Sequence, residues 1–185
     1  MKERLSIRKI TTISVLLALA IGLSIVENYI PFGIPGAKLG LANLITILTL
    51  YFFGFWTGLG VSLLRVIAAS LITGSFLGMG FMMSFAGALL SFLLMAFAKR
   101  FLSCFTVVGV SILGAFSHSL AQIFVAMAYY VSTSIMYYFP PMALISLITG
   151  TCIGFICDYA LKNKYLQRIV EEKTTRIDHN EEKKQ

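Results

Sequence analysis

Apolar residues run continuously along this chain, and the runs stop at a few polar or glycine- and proline-rich points. An unbroken run of about 20 apolar residues has the length of a membrane-crossing helix. A barrel strand would alternate at every second residue, and no such alternation is present. The pattern predicts helices over Ile10–Val26, Leu39–Phe53, Phe55–Ile72, Phe81–Ala98, Phe105–Val131, and from Pro140–Pro141 to Leu161. The first break, Glu27 to Lys38, holds Pro31, Gly33, Pro35 and Gly36. Gly54 separates the second run from the third, and Thr73 to Gly80 separates the third from the fourth. Leu39 to Ile72 also reads as one bent, overlong span. No internal repeat is evident.

Composition and charge choose between these readings. The side chains are 58% hydrophobic and 12% charged, and the mean hydropathy is +0.86. A soluble domain carries roughly twice that charged share. Too little polar surface remains to cover the chain in water, and lipid removes the conflict. The net charge of +7 belongs almost wholly to the ends and one loop. Lys2, Arg4, Arg8 and Lys9 precede the first run, Lys99–Arg100 follows the fourth, and seven lysines and arginines follow the sixth. With six spans and a cytoplasmic start, all of these fall inside, and the outer loops keep only Lys38. Two helices around Gly54 are therefore preferred. The expected protein is an all-α integral membrane protein of about six transmembrane helices with both termini cytoplasmic. Residues 1–9 form a basic start, 10–161 the six-helix membrane domain, and 162–185 a charged cytoplasmic tail. The first run is too long, and lacks a small-x-small site, for a cleaved signal peptide. The basic ends suit anionic headgroups of the lipid bilayer. No folded basic face exists for nucleic acid, which is not expected as a partner. Cys104, Cys152 and Cys157 form no CxxC pair and no Cys/His cluster, so they read as packing thiols with no metal site.

Few ionisable or strongly polar groups lie within the apolar segments, where each needs a partner or a polar cavity. Glu27 and Asn28 end the first helix, Lys38 opens the second, and Asn43 follows. Arg65 lies mid-way along the third helix. An arginine cannot lose its proton in a protein, so it must meet an acid, carbonyls or a ligand anion. One reading is an ion pair of Glu27 with Arg65. The other is that Arg65 and Lys38 receive a carboxylate or phosphate, which suits the bidentate guanidinium fork. His118 and Gln122 share one face of the fifth helix and either bond a ligand's polar edge or satisfy neighbouring helices. Asp158 is expected to meet Lys162 one turn on. Ser14, Ala18 and Gly22, four residues apart, form a small-residue stripe for close helix contact, either within the chain or with a separate membrane subunit. Gly150 with Gly154, and Gly54 with Gly58, repeat that spacing. The segment Tyr29 to Gly40 is longer than a tight turn requires and reads as a plain connector or a lid. The chain's eight acids form no aspartate cluster, and there is no P-loop and no nucleophile–base pair. Neither catalysis nor a cofactor is expected, and uphill transport would draw energy from a partner or a coupled ion.

Several segments resemble a known family. Val26-Glu27, Ile30-Pro31 and Pro35-Gly36-Ala37-Lys38-Leu39-Gly40-Leu41-Ala42-Asn43 look like its signature. Arg65 with Gly74-Ser75, then Ser84-Phe85-Ala86-Gly87, then Ile112-Leu113-Gly114-Ala115-Phe116-Ser117-His118 continue it. Over roughly residues 8 to 162 the chain is similar to the bacterial family named heptaprenyl diphosphate synthase component I, also called the Gx transporter family. Ser119 stands where that pattern carries an asparagine. The family in turn resembles the substrate-binding S-components of energy-coupling-factor (ECF) importers. That resemblance implies a bacterial cytoplasmic membrane, an outer loop at Tyr29 to Gly40 capping a pocket, and docking of Ser14, Ala18 and Gly22 onto an ECF coupling subunit served by ATPases. The implied substrate-binding residues are Lys38, Asn43, Arg65, His118 and Gln122, with Tyr29, Phe32 and Trp56 as apolar wall or membrane-interface contacts. The implied ligand is a small anion of vitamin-like, flavin or prenyl-diphosphate class. The family name implies instead a non-catalytic subunit of prenyl-diphosphate or menaquinone synthesis, since the chain lacks the aspartate cluster that holds magnesium on a diphosphate. Association of the family with flavin-linked electron transfer implies a third role, with any electron carrier borrowed.

Overall fold

The computed structural model describes residues 7–29, 38, 40–102 and 105–163. Six α-helices cover most of them: α1 Ile7–Asn28, α2 Asn43–Phe53, α3 Phe55–Ile72, α4 Met79–Phe101, α5 Val107–Tyr130 and α6 Phe139–Lys162, with a 3-10 turn at Thr133–Tyr138 before α6. No strand occurs among the described residues. Five of the helices are long and apolar enough to cross a membrane, and α2 is a shorter apolar helix. The chain is thus an all-α, multi-pass membrane protein. Cys104, Phe32 and the tail beyond Asn163 lie outside the described residues.

Local sequence explains the boundaries. Gly54 joins α2 to α3 at φ +84°, a conformation that costs a residue with a Cβ. The Thr106 side chain caps α5 by accepting from the Gly109 amide at 3.3 Å, which satisfies one of the free donors at a helix start. Pro140 and Pro141 sit in the first turn of α6, where the missing N–H costs nothing. Lys9, Lys99, Arg100 and Lys162 gather at one end of the bundle, called the basic end below; the other is the distal end.

The 11 residues of α2 span about 17 Å, roughly half the hydrocarbon thickness of a bilayer. This half-length helix is the centre of the bundle and touches α1, α3, α4, α5 and α6. Its Ile47 and Leu50 are buried with Phe92, Met95, Val110, Ile153 and Cys157. A second apolar cluster, Met83, Ile123, Ala126 and Met142, closes the α4–α5–α6 side nearer the distal end. Large apolar side chains such as Leu19, Leu64, Phe97, Phe124, Ile148 and Phe155 are exposed on the helices. In a bilayer they face lipid tails, so their exposure carries no penalty. Exposed tyrosines 29, 129, 130 and 137 ring the distal end, and Trp56 and Tyr159 mark the basic end. These are the two interfacial levels that amphipathic aromatics prefer.

Small residues set the helix spacing. A Cβ on Gly150 would lie 2.9 Å from Ala115 Cβ, and one on Gly154 would lie 2.7 Å from Val108 Cα. The Ser111 hydroxyl donates to the Gly150 carbonyl across the same contact at 2.7 Å. Gly58 brings α3 onto α2, with Leu50 Cα 3.2 Å from its would-be Cβ. The stripe on α1 behaves differently. Ser14, Ala18 and Gly22 are exposed, and a Cβ on Gly22 would meet nothing within 4 Å. The face of α1 that packs inward carries Ala20, Ser24 and Glu27 instead. Cys157 is buried and its thiol points to the Leu44 carbonyl at 3.6 Å, while Cys152 is exposed.

Candidate functional site

A polar cluster forms where the chain re-enters the bundle ahead of α2. Non-helical backbone at membrane depth survives only when protein groups or a cavity satisfy it, and the Glu27 and Gln122 side chains do this here. Glu27, in the last turn of α1, is buried and accepts the backbone N–H of Leu41, with the Gly40 amide also directed at it. A carboxylate thus sits on the turn just ahead of α2, whose Gly40 and Leu41 carbonyls take the Asn43 and Leu44 amides, at the end where the helix dipole favours negative charge. Gly40 turns the chain at φ +79°. A side chain there would also crowd Asn43 Nδ2, 3.0 Å from a built Cβ.

Gln122 of α5 holds the backbone of Lys38. Assigning its amide so that every neighbour is satisfied, the oxygen accepts from Lys38 N at 3.1 Å and from His118 Nε2 at 3.2 Å, and the nitrogen donates to Lys38 O at 3.1 Å. This assignment follows from the hydrogen-bond network. It puts a proton on His118 Nε2 and turns Nδ1 toward Gly87 of α4. The imidazole lies against Gly87 of α4. A Cβ there would stand 2.7 Å from His118 Cε1 and 2.8 Å from Nδ1.

Arg65 of α3 is buried. Its Nη2 donates to Asn43 Oδ1 at 2.8 Å and its Nη1 to Ser24 Oγ at 3.2 Å. Glu27 lies within its electrostatic reach, but the fork is aimed at Ser24 and Asn43 rather than at the carboxylate. Arg65 Nε and Asn43 Nδ2 are buried donors with no acceptor. Such groups ordinarily cost stability, and their survival in a cluster marks a place where an acceptor is wanted. Lys38 is partly buried. Burial pushes its ammonium down to about 8, with Glu27 opposing that fall and Arg65 adding to it.

The residues singled out by sequence gather in one region: Arg65 bonds to Asn43, Gln122 bonds to His118 and to the Lys38 backbone, and Glu27 lies within electrostatic reach of Arg65 and Lys38. Asp158 stands apart, pairing with Lys162 at 2.7 Å near the basic end. Trp56 is exposed at the basic end, away from the cluster. Sequence reasoning missed Ser24, which shares a helix face with Glu27 three residues on, and the packing role of Gly87. It also missed Lys99, whose Nζ donates to the Leu50 carbonyl at 2.8 Å and lies 4.4 Å from the centre of the Tyr51 ring. No group of three or more metal-ligating side chains occurs among the described residues.

Beyond the cluster, a cleft of about 530 Å³ opens at the distal end, lined by Asn28, Tyr29, Thr73, Ser75, Tyr129 and Tyr130 among others. Arg65 lies eight residues below Thr73 on the α3 side, about 12 Å at the rise of an α-helix. The cleft therefore opens above the Arg65 level.

A family model described as heptaprenyl diphosphate synthase component I matches residues 16–160. No curated protein and no solved structure matches the chain. The matched range takes in the whole cluster, from Ser24 and Glu27 on α1 to Gln122 on α5, and the chain belongs to the heptaprenyl diphosphate synthase component I family.

Proposed function

We propose that this protein is a membrane substrate-binding subunit that receives a small anionic molecule. The basic end faces the cytoplasm of a bacterial cell and the distal cleft faces outward, in line with the positive-inside rule. Lys38 and Arg65 meet the anion, and Asn43, His118 and Gln122 shape the polar surface around it. The observation that carries the reading is the pair of buried, acceptor-less donors, Arg65 Nε and Asn43 Nδ2, beside a partly buried lysine. Both donors belong to one polar cluster, where an acceptor from outside the chain would satisfy them together. Transport would be energised by partners. The exposed stripe Ser14, Ala18 and Gly22 is the docking face for a membrane coupling subunit of ECF type, itself driven by ATPases.

The test is mass spectrometry of small molecules released from the protein purified in mild detergent, repeated on Lys38→Met and Arg65→Lys. A stoichiometric anion that is lost from both variants is the expected result. An anion retained at full occupancy in both variants would rule the assigned residues out. A second reading rests on the family description itself: a non-catalytic membrane subunit of prenyl-diphosphate synthesis. It requires co-purification with a soluble prenyl synthase, and purification to homogeneity without one, from cells that express both, counts against it.

A further inference from the structure

Charge balance around α2 narrows what that anion can be. Glu27, Lys38, Arg65 and His118 are the titratable side chains in the cluster. The sequence between Asn28 and Lys38 adds none, since residues 29 to 37 are uncharged at neutral pH. His118 is counted as neutral, since a third cation beside Arg65 and Lys38 would be repelled. Two cations and one carboxylate remain, a net of one positive charge.

Glu27 is not available as a ligand-side group. Its carboxylate takes the Leu41 amide just ahead of α2, the position an incoming anion would otherwise seek. The donors left over are Arg65 Nε and Asn43 Nδ2 and the Lys38 ammonium. A carboxylate has two oxygens to offer such a set, and its one charge brings the cluster to neutrality. A diphosphate would leave an excess of negative charge in a buried setting, where an uncompensated charge is strongly disfavoured. No carboxylate cluster is present among the described residues to bring in a divalent cation that would offset it.

We infer that the site selects a singly charged carboxylate over phosphate esters and diphosphates, with Glu27 as the internal anion that sets this preference. The inference rests on the substrate-binding reading above and names its ligand class.

The experiment uses the full chain in mild detergent at pH 6.5, with sodium benzoate and inorganic pyrophosphate as probes and calorimetry as the readout. Wild type is expected to bind benzoate at least tenfold more tightly than pyrophosphate. Glu27→Gln keeps an oxygen for the Leu41 amide while raising the cluster to two positive charges, and it should shift the ratio at least tenfold toward pyrophosphate. Wild-type preference for pyrophosphate overturns the inference and leaves the anion-binding reading standing. Failure of wild type to bind either probe overturns both. The wild-type ratio needs no variant, so a Glu27→Gln protein that does not fold leaves the inference decidable. A folded Glu27→Gln with an unchanged ratio removes Glu27 from its assigned part.

Discussion

Replacing Gln122 by methionine isolates the grip of α5 on the re-entering chain. Methionine keeps the length and approximate volume of the side chain, so packing changes little, but it cannot bond the Lys38 peptide. The wild-type amide makes two bonds to that peptide, one to N and one to O, each at 3.1 Å. At about 1 kcal/mol net per bond, their loss is worth about 2 kcal/mol, or roughly 30-fold in the local opening constant. The assay is hydrogen–deuterium exchange resolved to single amides, comparing Lys38 with Leu41. The Lys38 amide is expected to exchange roughly 30-fold faster in Gln122→Met, on the same two-bond estimate. The Leu41 amide, bonded to Glu27 instead, should change far less. Gln122→Glu keeps an oxygen for the Lys38 N–H but loses the bond to its carbonyl, so Lys38 exchange should rise only about fivefold on the same per-bond estimate. Unchanged Lys38 exchange in Gln122→Met would refute the clamp. Equal acceleration at Lys38 and Leu41 would show a general loosening of the bundle instead.

Three further outcomes are expected. Gly87→Ala puts a Cβ within 2.7 to 3.0 Å of three His118 ring atoms, so it should cost about 1–3 kcal/mol and lower Tm by roughly 2–12 °C. Gly22→Ala, open on all sides, should be neutral or stabilising by up to about 1 kcal/mol; equal losses from both would sink the packing argument. Benzoate affinity should fall about tenfold per pH unit above about 8, where Lys38 loses its proton. Ligand-free stability should move the opposite way: the folded value lies below the unfolded 10.5, the unfolded chain binds more protons in between, and stability rises with pH across that window. Arg65 and Glu27 also face Lys38, so Lys38→Met is the control, and a pH dependence that survives it would assign the effect elsewhere. Lys99→Met removes a cation from the carbonyl end of α2 and should cost about 0.3–1 kcal/mol in thermal unfolding, with no change in benzoate affinity.

Much of the fold was legible because membrane helices announce themselves by composition. The predicted third helix, Phe55–Ile72, has the observed bounds, and Gly54 separates it from α2 as the charge pattern required. The second prediction, Leu39–Phe53, was too long at its start, since the helix begins at Asn43. Residues 40 to 42 have amides or carbonyls engaged in turn and Glu27 contacts, which no single-segment pattern reveals. The cluster was legible for a related reason: ionisable residues in apolar runs are few, so those present stand out. Ser24 and Gly87 did not stand out because serine and glycine are frequent in membrane helices. Their meaning depends on what faces them across the bundle: Arg65 in one case and His118 in the other.

The short α2 explains why these charges coexist in so apolar a protein. A helix of 11 residues has unpaired amides at one end and unpaired carbonyls at the other. In water both would be solvated; in the centre of a membrane bundle neither is. Glu27 meets the amide end through Leu41, and Lys99 meets the carbonyl end through Leu50. Each charge has the sign that the helix dipole favours at its end. The two groups are thereby tied to a structural duty, and Asp158 is tied to Lys162 at the surface. Among the described residues with cationic side chains near the cluster, Arg65 and Lys38 are left with donors beyond those the fold requires. An interior that commits Glu27 to its own backbone, yet leaves Arg65 Nε and Asn43 Nδ2 without acceptors, is what the proposed anion site requires. On that proposal the ligand carries a single negative charge, because two cations beside one Glu27 carboxylate leave one positive charge unmet.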